Sequence, residues 1–210
     1  AVLASGRMGA TTVAATMHLA ARAGIGVFAT GGIGGVHRGG EQSLDVSADL
    51  GQLARSPVVV VCAGAKSVLD LPRTMEVLET QGVPVVGYRT SELPSFYSAR
   101  SGIPLPHRVD DVPALAAIVR AHRELGLPGG MLVCQPVPAK FALDAAEVDG
   151  WIERAEEEAW GDGIHGPAIT PYLLKRLQEL SGGKTLVTNR ALALNNAKLA
   201  AELAVALASK

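Results

Sequence analysis

The chain has 210 residues, 48% of them hydrophobic, enough for one sizeable core without a second domain, so residues 1–210 are read as a single domain. Nineteen basic and 20 acidic residues leave a net charge of -1, which excludes recruitment to nucleic acid or an anionic membrane by bulk charge; any anion contact has to be local. The longest apolar run, around Val58 to Ala65, falls far short of the roughly 20 residues of a spanning helix, and no basic-then-apolar leader opens the chain, so the expectation is a soluble, cytoplasmic protein partnered by neither nucleic acid nor membrane.

In chain order, AVLAS before Gly6 reads as a strand and turn, already mid-element at its first residue, which suggests a fragment or a trimmed chain. Met8 to Ala23 reads as a small-residue helix ended by Gly24, and IGVFAT as a strand running into GGIGGVHRGG. Ser43 is placed to cap a helix that carries Asp45, Ser47 and Asp49 and stops before Pro57. VVVVCA has the β-branched continuity of a strand buried on both faces, the mark of a parallel sheet. Ser67 to Gln81 reads as an amphipathic helix, VPVVGY as a strand, Arg89 to Asp111 as an irregular excursion or lid, Val112 to Leu125 as a helix and MLVCQ as a fifth strand. Helices follow from Asp144 to about Trp160, from Thr170 to Leu180, and from about Asn189 to the end. The predicted fold is α/β: a central, mainly parallel sheet flanked by helices (α/β/α), with a helical C-terminal third.

Four groups of residues bear chemistry. The run TGGIGG, with Gly31 and Gly32 at its start, is a candidate phosphate cradle, because glycines let successive N–H groups converge on an anion; a tight turn at the sheet edge is the plain alternative. It lacks the Gly-Lys-Ser/Thr of a nucleotide loop and the spacing of a dinucleotide fingerprint, which weighs against a kinase-like or dinucleotide-binding protein. Asp45, Ser47 and Asp49 lie at i, i+2 and i+4, so two carboxylates share a helix face and suit a hard divalent cation such as Mg²⁺ or Mn²⁺; a solvated face is the alternative. His37 and Arg38 sit in the glycine loop as an anion or base pair. Lys66, at the exit of VVVVCAGA, is the sharpest residue: partial desolvation there favours a neutral amine able to attack a carbonyl, at the strand end where α/β sheets place ligands, against the alternative of a surface lysine. Cys62 and Cys134 read as buried small hydrophobes, His18, His122 and His165 as structural or surface residues, and Trp151 and Trp160 as packing residues on roughly one side of their helix.

The blocks GGIGGVHRG, DVSADL, VVCAGAKS, LETQGVPVVGY, ITPYLL and NRALALNNAKLAAE, in that order, resemble the pseudouridine-5'-phosphate glycosidase family, also called indigoidine synthase A-like, along essentially the whole chain. The resemblance implies a C–C glycosidase that reversibly converts pseudouridine 5'-phosphate and water to ribose 5-phosphate and uracil, supported by Mn²⁺, in a homotrimer. It implies that Lys66 forms a Schiff base with ribose C1', that Asp45 binds the metal, and that Val13, His37, Ser47, Ala48 and Asp49 contact substrate. For uracil it implies Asn189 or the Asn195–Asn196 pair, with Asn189 favoured. It also implies a segment ahead of the position of Ala1 that holds a proton-donor glutamate and a substrate-contacting lysine. The expectation is therefore little turnover from these 210 residues alone, and a sugar-phosphate-binding module without catalysis is the competing reading.

Overall fold

The structure, a computed structural model, describes residues 2–40 and 44–209; the proposed cap Ser43 lies outside the described residues. Strands β1 (Val27–Ala29), β3 (Val59–Cys62), β5 (Val85–Tyr88), β6 (His107–Val109) and β7 (Met131–Cys134) form one parallel sheet in the order β1-β3-β7-β5-β6. A two-stranded antiparallel ribbon, β2 (Val36–His37) with β4 (Leu69–Asp70), lies apart from it. Strands β3, β5 and β7 are buried along their whole lengths, as the unbroken valine runs require of a sheet covered on both faces.

Alternation along β3 separates two cores. Val59 and Val61 face a layer of helices α5 (Val112–Glu124) and α8 (Lys184–Ala208) through Leu115, Val119, Leu199 and Leu203. Val60 and Cys62 face the opposite layer, built from α2 (Val13–Arg22), α3 (Ala48–Leu53), α4 (Leu71–Thr80), α6 (Ala145–Gly161) and α7 (Ile169–Leu180). This is the α/β/α sandwich expected from the sequence, with its C-terminal part helical. Helix α8 has the length and composition of a membrane span, yet it packs across β1 and β3 with Leu192 and Leu203 fully buried. Cys62 and Cys134 face each other in register on β3 and β7, both buried and free. The contact with Cys62, and then burial, push the Cys134 thiol well above its usual range.

Several local expectations are corrected. Within the stretch read as a strand, Val2–Ser5 is a short helix, α1, in which the Ser5 hydroxyl donates to the Val2 carbonyl at 2.9 Å. Helix α2 starts at Val13 instead of Met8, because Thr12 caps it by accepting from the Ala15 N–H. Helix α3 starts at Ala48, where Ser47 accepts from the Asp49 N–H, so Asp45 is outside the helix and shares no helical face with Asp49. Helix α4 starts at Leu71 rather than Ser67, capped by Asp70, and α8 starts at Lys184 rather than Asn189, after Gly183 in a left-handed turn. The excursion after β5 contains an edge strand, β6, within its irregular course. Trp151 and Trp160 do not share a side: nine residues is about two and a half turns, and Trp151 packs against the core while Trp160 is 78% exposed.

Candidate functional site

The loops leaving the carboxyl ends of β1 and β3 are stitched together by main-chain bonds. The Thr30 N–H donates to Val61 O (3.0 Å), Ala63 to Gly31 O (2.9 Å), Ile33 to Gly64 O (3.1 Å) and Lys66 to Ile33 O (3.1 Å). Lys66, half-buried, is thereby fixed beside the glycine loop. Together they open on a cavity of about 460 Å³ lined by Gly31, Gly32, Lys66, Phe96, Tyr97 and Asn189, with Lys175, Gln178 and Thr185 from α7 and α8 also on its wall. Its position outside the carboxyl edge of a parallel sheet is where such sheets bind ligands.

Glycine is required here for space. A Cβ on Gly32 would lie 2.6 Å from the Phe96 ring and 3.0 Å from Gly64 O, and one on Gly64, whose φ is +83°, would lie 2.1 Å from Pro94 O. From the other side the fully buried Asn196 amide donates to Thr30 O (2.9 Å) and Gly31 O (3.4 Å). Asn195 donates to Pro136 O (3.3 Å). Of the three late asparagines, Asn189 is the one on the cavity wall, and the other two anchor main chain. Tyr97 is buried, with its ring edge-on to Phe96 at 4.7 Å; burial pushes its hydroxyl up to about 12, against a smaller downward effect of its hydrogen bond with Thr185. Thr185 in turn meets the Ser181 hydroxyl at 3.1 Å.

The remaining sequence-predicted residues gather around the next turns of the loop. Asp49 is buried, and its two oxygens accept from the Ala14 and Gly34 N–H groups, each at 2.7 Å. Val13 opens α2, while Ser47 caps α3 ahead of Ala48 and sits so close to Gly34 that a Cβ there would meet its hydroxyl at 2.2 Å. The His37 N–H donates to Asp45 O at 3.0 Å, and its ring reaches the Thr170 hydroxyl at 3.4 Å. Arg38 is turned to Glu156 of α6 at 3.4 Å; burial raises that carboxyl, and Arg38 offsets the effect in part. The structure thus brings Lys66, Gly31, Gly32 and Asn189 to one cavity, and groups Val13, Ser47, Ala48 and Asp49 about Gly34. Asp45 and His37 are joined through the backbone.

Among the described residues no three His, Cys, Asp or Glu side chains converge to hold a metal, so Asp45 does not belong to a ready-made protein cage. A cation held by Asp45 would take its remaining ligands from water or from a bound molecule's oxygens. Sequence reasoning missed Phe96, Tyr97, Lys175, Gln178 and Thr185 as cavity residues. Phe96 and Tyr97 carried a signal, lying in the excursion already marked as irregular. The α7 and α8 residues carried none, since only tertiary packing lays those helices across the strand ends.

Fold and site define an α/β/α protein with a lysine-bearing ligand cavity at the carboxyl edge of its sheet. Residues 1–206 match the family described as Indigoidine synthase A like protein, and the chain belongs to that family. It is 60% identical over 205 residues to a protein of Methylobacterium nodulans named pseudouridine-5'-phosphate glycosidase, covering 98% of this chain and 61% of the relative. It is 56% identical over 209 residues to the Paracoccus denitrificans protein of the same name, covering 100% of this chain and 69% of that one. The chain thus spans 61% and 69% of the length of these two relatives. Among solved structures, the prealnumycin C-glycosynthase AlnA in complex with ribulose 5-phosphate superposes with a TM-score of 0.93 at 45% identity, over 99% of this chain and 68% of that one. An indigoidine synthase A-like protein from Thermotoga maritima superposes with a TM-score of 0.90 at 42% identity, over 98% and 68%.

Proposed function

We propose that the chain carries the lysine half of a C–C glycosidase site that cleaves pseudouridine 5'-phosphate to ribose 5-phosphate and uracil. The observation that carries this reading is the meeting of Lys66, the Gly31–Gly32 main chain and Asn189 at one cavity. The names of the relatives, and the sugar phosphate bound by the C-glycosynthase neighbour, support the substrate class.

A carbon–carbon glycosidic bond has no leaving oxygen to protonate, so the two-carboxylate strategy of ordinary glycosidases does not apply. In this reading the Lys66 amine attacks ribose C1', and the ring oxygen leaves with a proton as the sugar opens. The nitrogen lone pair then forms an imine to C1' as the bond to uracil breaks. The bonding electrons pass to uracil, which takes a proton at the same carbon. Water hydrolyses the imine, freeing ribose 5-phosphate and the amine. Asn189 offers a carboxamide to the donor and acceptor edge of uracil. Asp45 is proposed to assist a divalent cation such as Mn²⁺ through a single carboxylate, the other ligands being water or substrate oxygens. The assembly is proposed to be a homotrimer, as the resemblance implies, and its compartment the cytoplasm.

Among the described residues, the cavity wall includes Lys66 and Lys175 and no carboxylate. The proton for uracil is therefore assigned to a group outside this wall, the glutamate that the resemblance places ahead of the position of Ala1. The same observation favours a second reading, binding of a sugar phosphate without turnover. Borohydride reduction in the presence of ribose 5-phosphate and Mn²⁺ is expected to add one sugar phosphate at Lys66, abolished in Lys66→Ala; no adduct on the intact, metal-supplied protein overturns the imine. Uracil release from pseudouridine 5'-phosphate, assayed with the glutamate-bearing segment present, separates the readings, since the binding module then still gives an adduct or calorimetric binding and no uracil.

A further inference from the structure

We infer that Phe96 is a positioning residue for the Lys66 cavity, a wedge that fixes the spacing between the glycine loop and the strand that delivers the lysine; this rests on the reading of that cavity as the sugar-phosphate site. Three described residues other than glycine have positive φ: Leu44, Arg89 and Phe96. Leu44 and Arg89 are exposed, whereas Phe96, at φ +57°, is 4% exposed. A left-handed conformation is unfavourable for a bulky side chain and persists only where the surroundings over-determine it. They do so here. The Phe96 N–H donates to Ala63 O at 3.0 Å, and the Ala63 N–H donates to Gly31 O at 2.9 Å, so one chain of bonds links the aromatic residue to the loop. Its ring fills the space that a side chain on Gly32 would take. The turn behind it is closed by Ser95 N–H to Ser98 O at 3.0 Å and tied down by the Ser98 hydroxyl on Leu143 O at 3.0 Å.

With the ring removed, the main-chain bonds still tie the loop to the β3 exit, but the face of Gly32 loses the side chain packed against it, and a displacement of about an ångström is enough to weaken a positioned site severely. The test separates ring from backbone. Phe96→Ala loses the ring and keeps an unfavourable conformation, Phe96→Gly loses the ring and relieves it, and Phe96→Leu keeps much of the volume. The expected result is a half-saturating ribose 5-phosphate concentration for borohydride trapping at Lys66 raised on the order of tenfold in both Phe96→Ala and Phe96→Gly, with a smaller loss of rate at saturation. Phe96→Leu is expected to recover most of the affinity. Phe96→Gly should melt above Phe96→Ala by about 2–4 °C while trapping no better.

Wild-type half-saturation in both ring-deleted variants overturns the proposal, and so does trapping that follows melting temperature across the series, which makes the residue merely structural. If Phe96→Ala does not fold, Phe96→Gly against Phe96→Leu decides in the same way. Wild-type protein that neither traps nor binds ribose 5-phosphate by calorimetry refutes the reading of the cavity, and the positioning role falls with it. That failure is distinct, because it appears before any variant is compared.

Discussion

Asp49 shows how one buried carboxylate holds the glycine loop and its neighbours together. Its oxygens accept from Ala14 at the start of α2 and from Gly34 in the glycine loop, and its own N–H donates to the Ser47 cap. One buried anion therefore fixes three segments far apart in sequence. Hydrogen bonds to a buried charge contribute more than neutral ones, and an unmade one leaves its donor without water. Asp49→Asn replaces one accepting oxygen by a second donor facing an N–H, and it is expected to lower stability by about 1.5–3 kcal/mol in urea unfolding. Because Gly34 follows Gly31 and Gly32 in the same loop, the variant should also reduce trapping at Lys66. A variant as stable as the parent would mean that these two bonds do not hold the loop.

At the scale of elements, the cavity is completed by α7, whose placement depends on α6. Glu158 of α6 accepts from Arg176 of α7 through both carboxylate oxygens, one of the contacts at 3.0 Å, and from Arg154 at 3.1 Å. The Arg176 hydrogen bond is the main cause that holds the Glu158 carboxyl down at about 2, against an ordinary value of 4.5. The sign follows from linkage: a carboxyl whose folded value is depressed stabilises above its unfolded value, and that contribution is lost as pH falls through the folded one. Thermal melts of the parent should therefore fall between about pH 4.5 and pH 2, and Glu158→Gln should flatten that segment while changing little of its shape at neutral pH. Solvent exposure limits the size of the effect, so the slope, not the neutral-pH midpoint, is the readout. The far end of α7 meets α8 through Gly183, at φ +84° with open space around its Cα. Gly183→Ala meets no clash, so its expected cost of about 1–2 kcal/mol in chemical denaturation is conformational alone. Should that substitution prove neutral, the turn is free to re-form in another geometry, and Thr185 and Asn189 would lose their fixed approach to the cavity.

For the molecule as a whole, the sheet and the lysine were legible because both are written locally. The valine runs announce strands buried on two faces, and Lys66 follows one of them directly. The glycine loop was legible as a close approach, although what approaches it, Phe96 on one side and Asn196 on the other, is set by contacts distant in sequence. Choosing among Asn189, Asn195 and Asn196 needed the rotation of α8 about its axis, which begins a turn earlier than the sequence suggested. The shared face expected of Asp45 and Asp49 was wrong for a local reason: Ser47 starts the helix between them. That correction bears on the metal. A helix face with two carboxylates would offer a divalent cation two protein ligands in the free protein, whereas the described residues bring no three ligands together. Any cation supported by Asp45 must take most of its ligands from water and from the substrate's own oxygens, as Mg²⁺-like ions commonly do. Binding to the native state alone stabilises it in proportion to the logarithm of ligand concentration over Kd. A chelator should therefore leave the melting curve of the unliganded protein unchanged, and Mn²⁺ alone should raise it little. Mn²⁺ added with ribose 5-phosphate should raise the midpoint by more than the two separate shifts combined. A midpoint that drops on chelation would instead reveal a cation built into the fold.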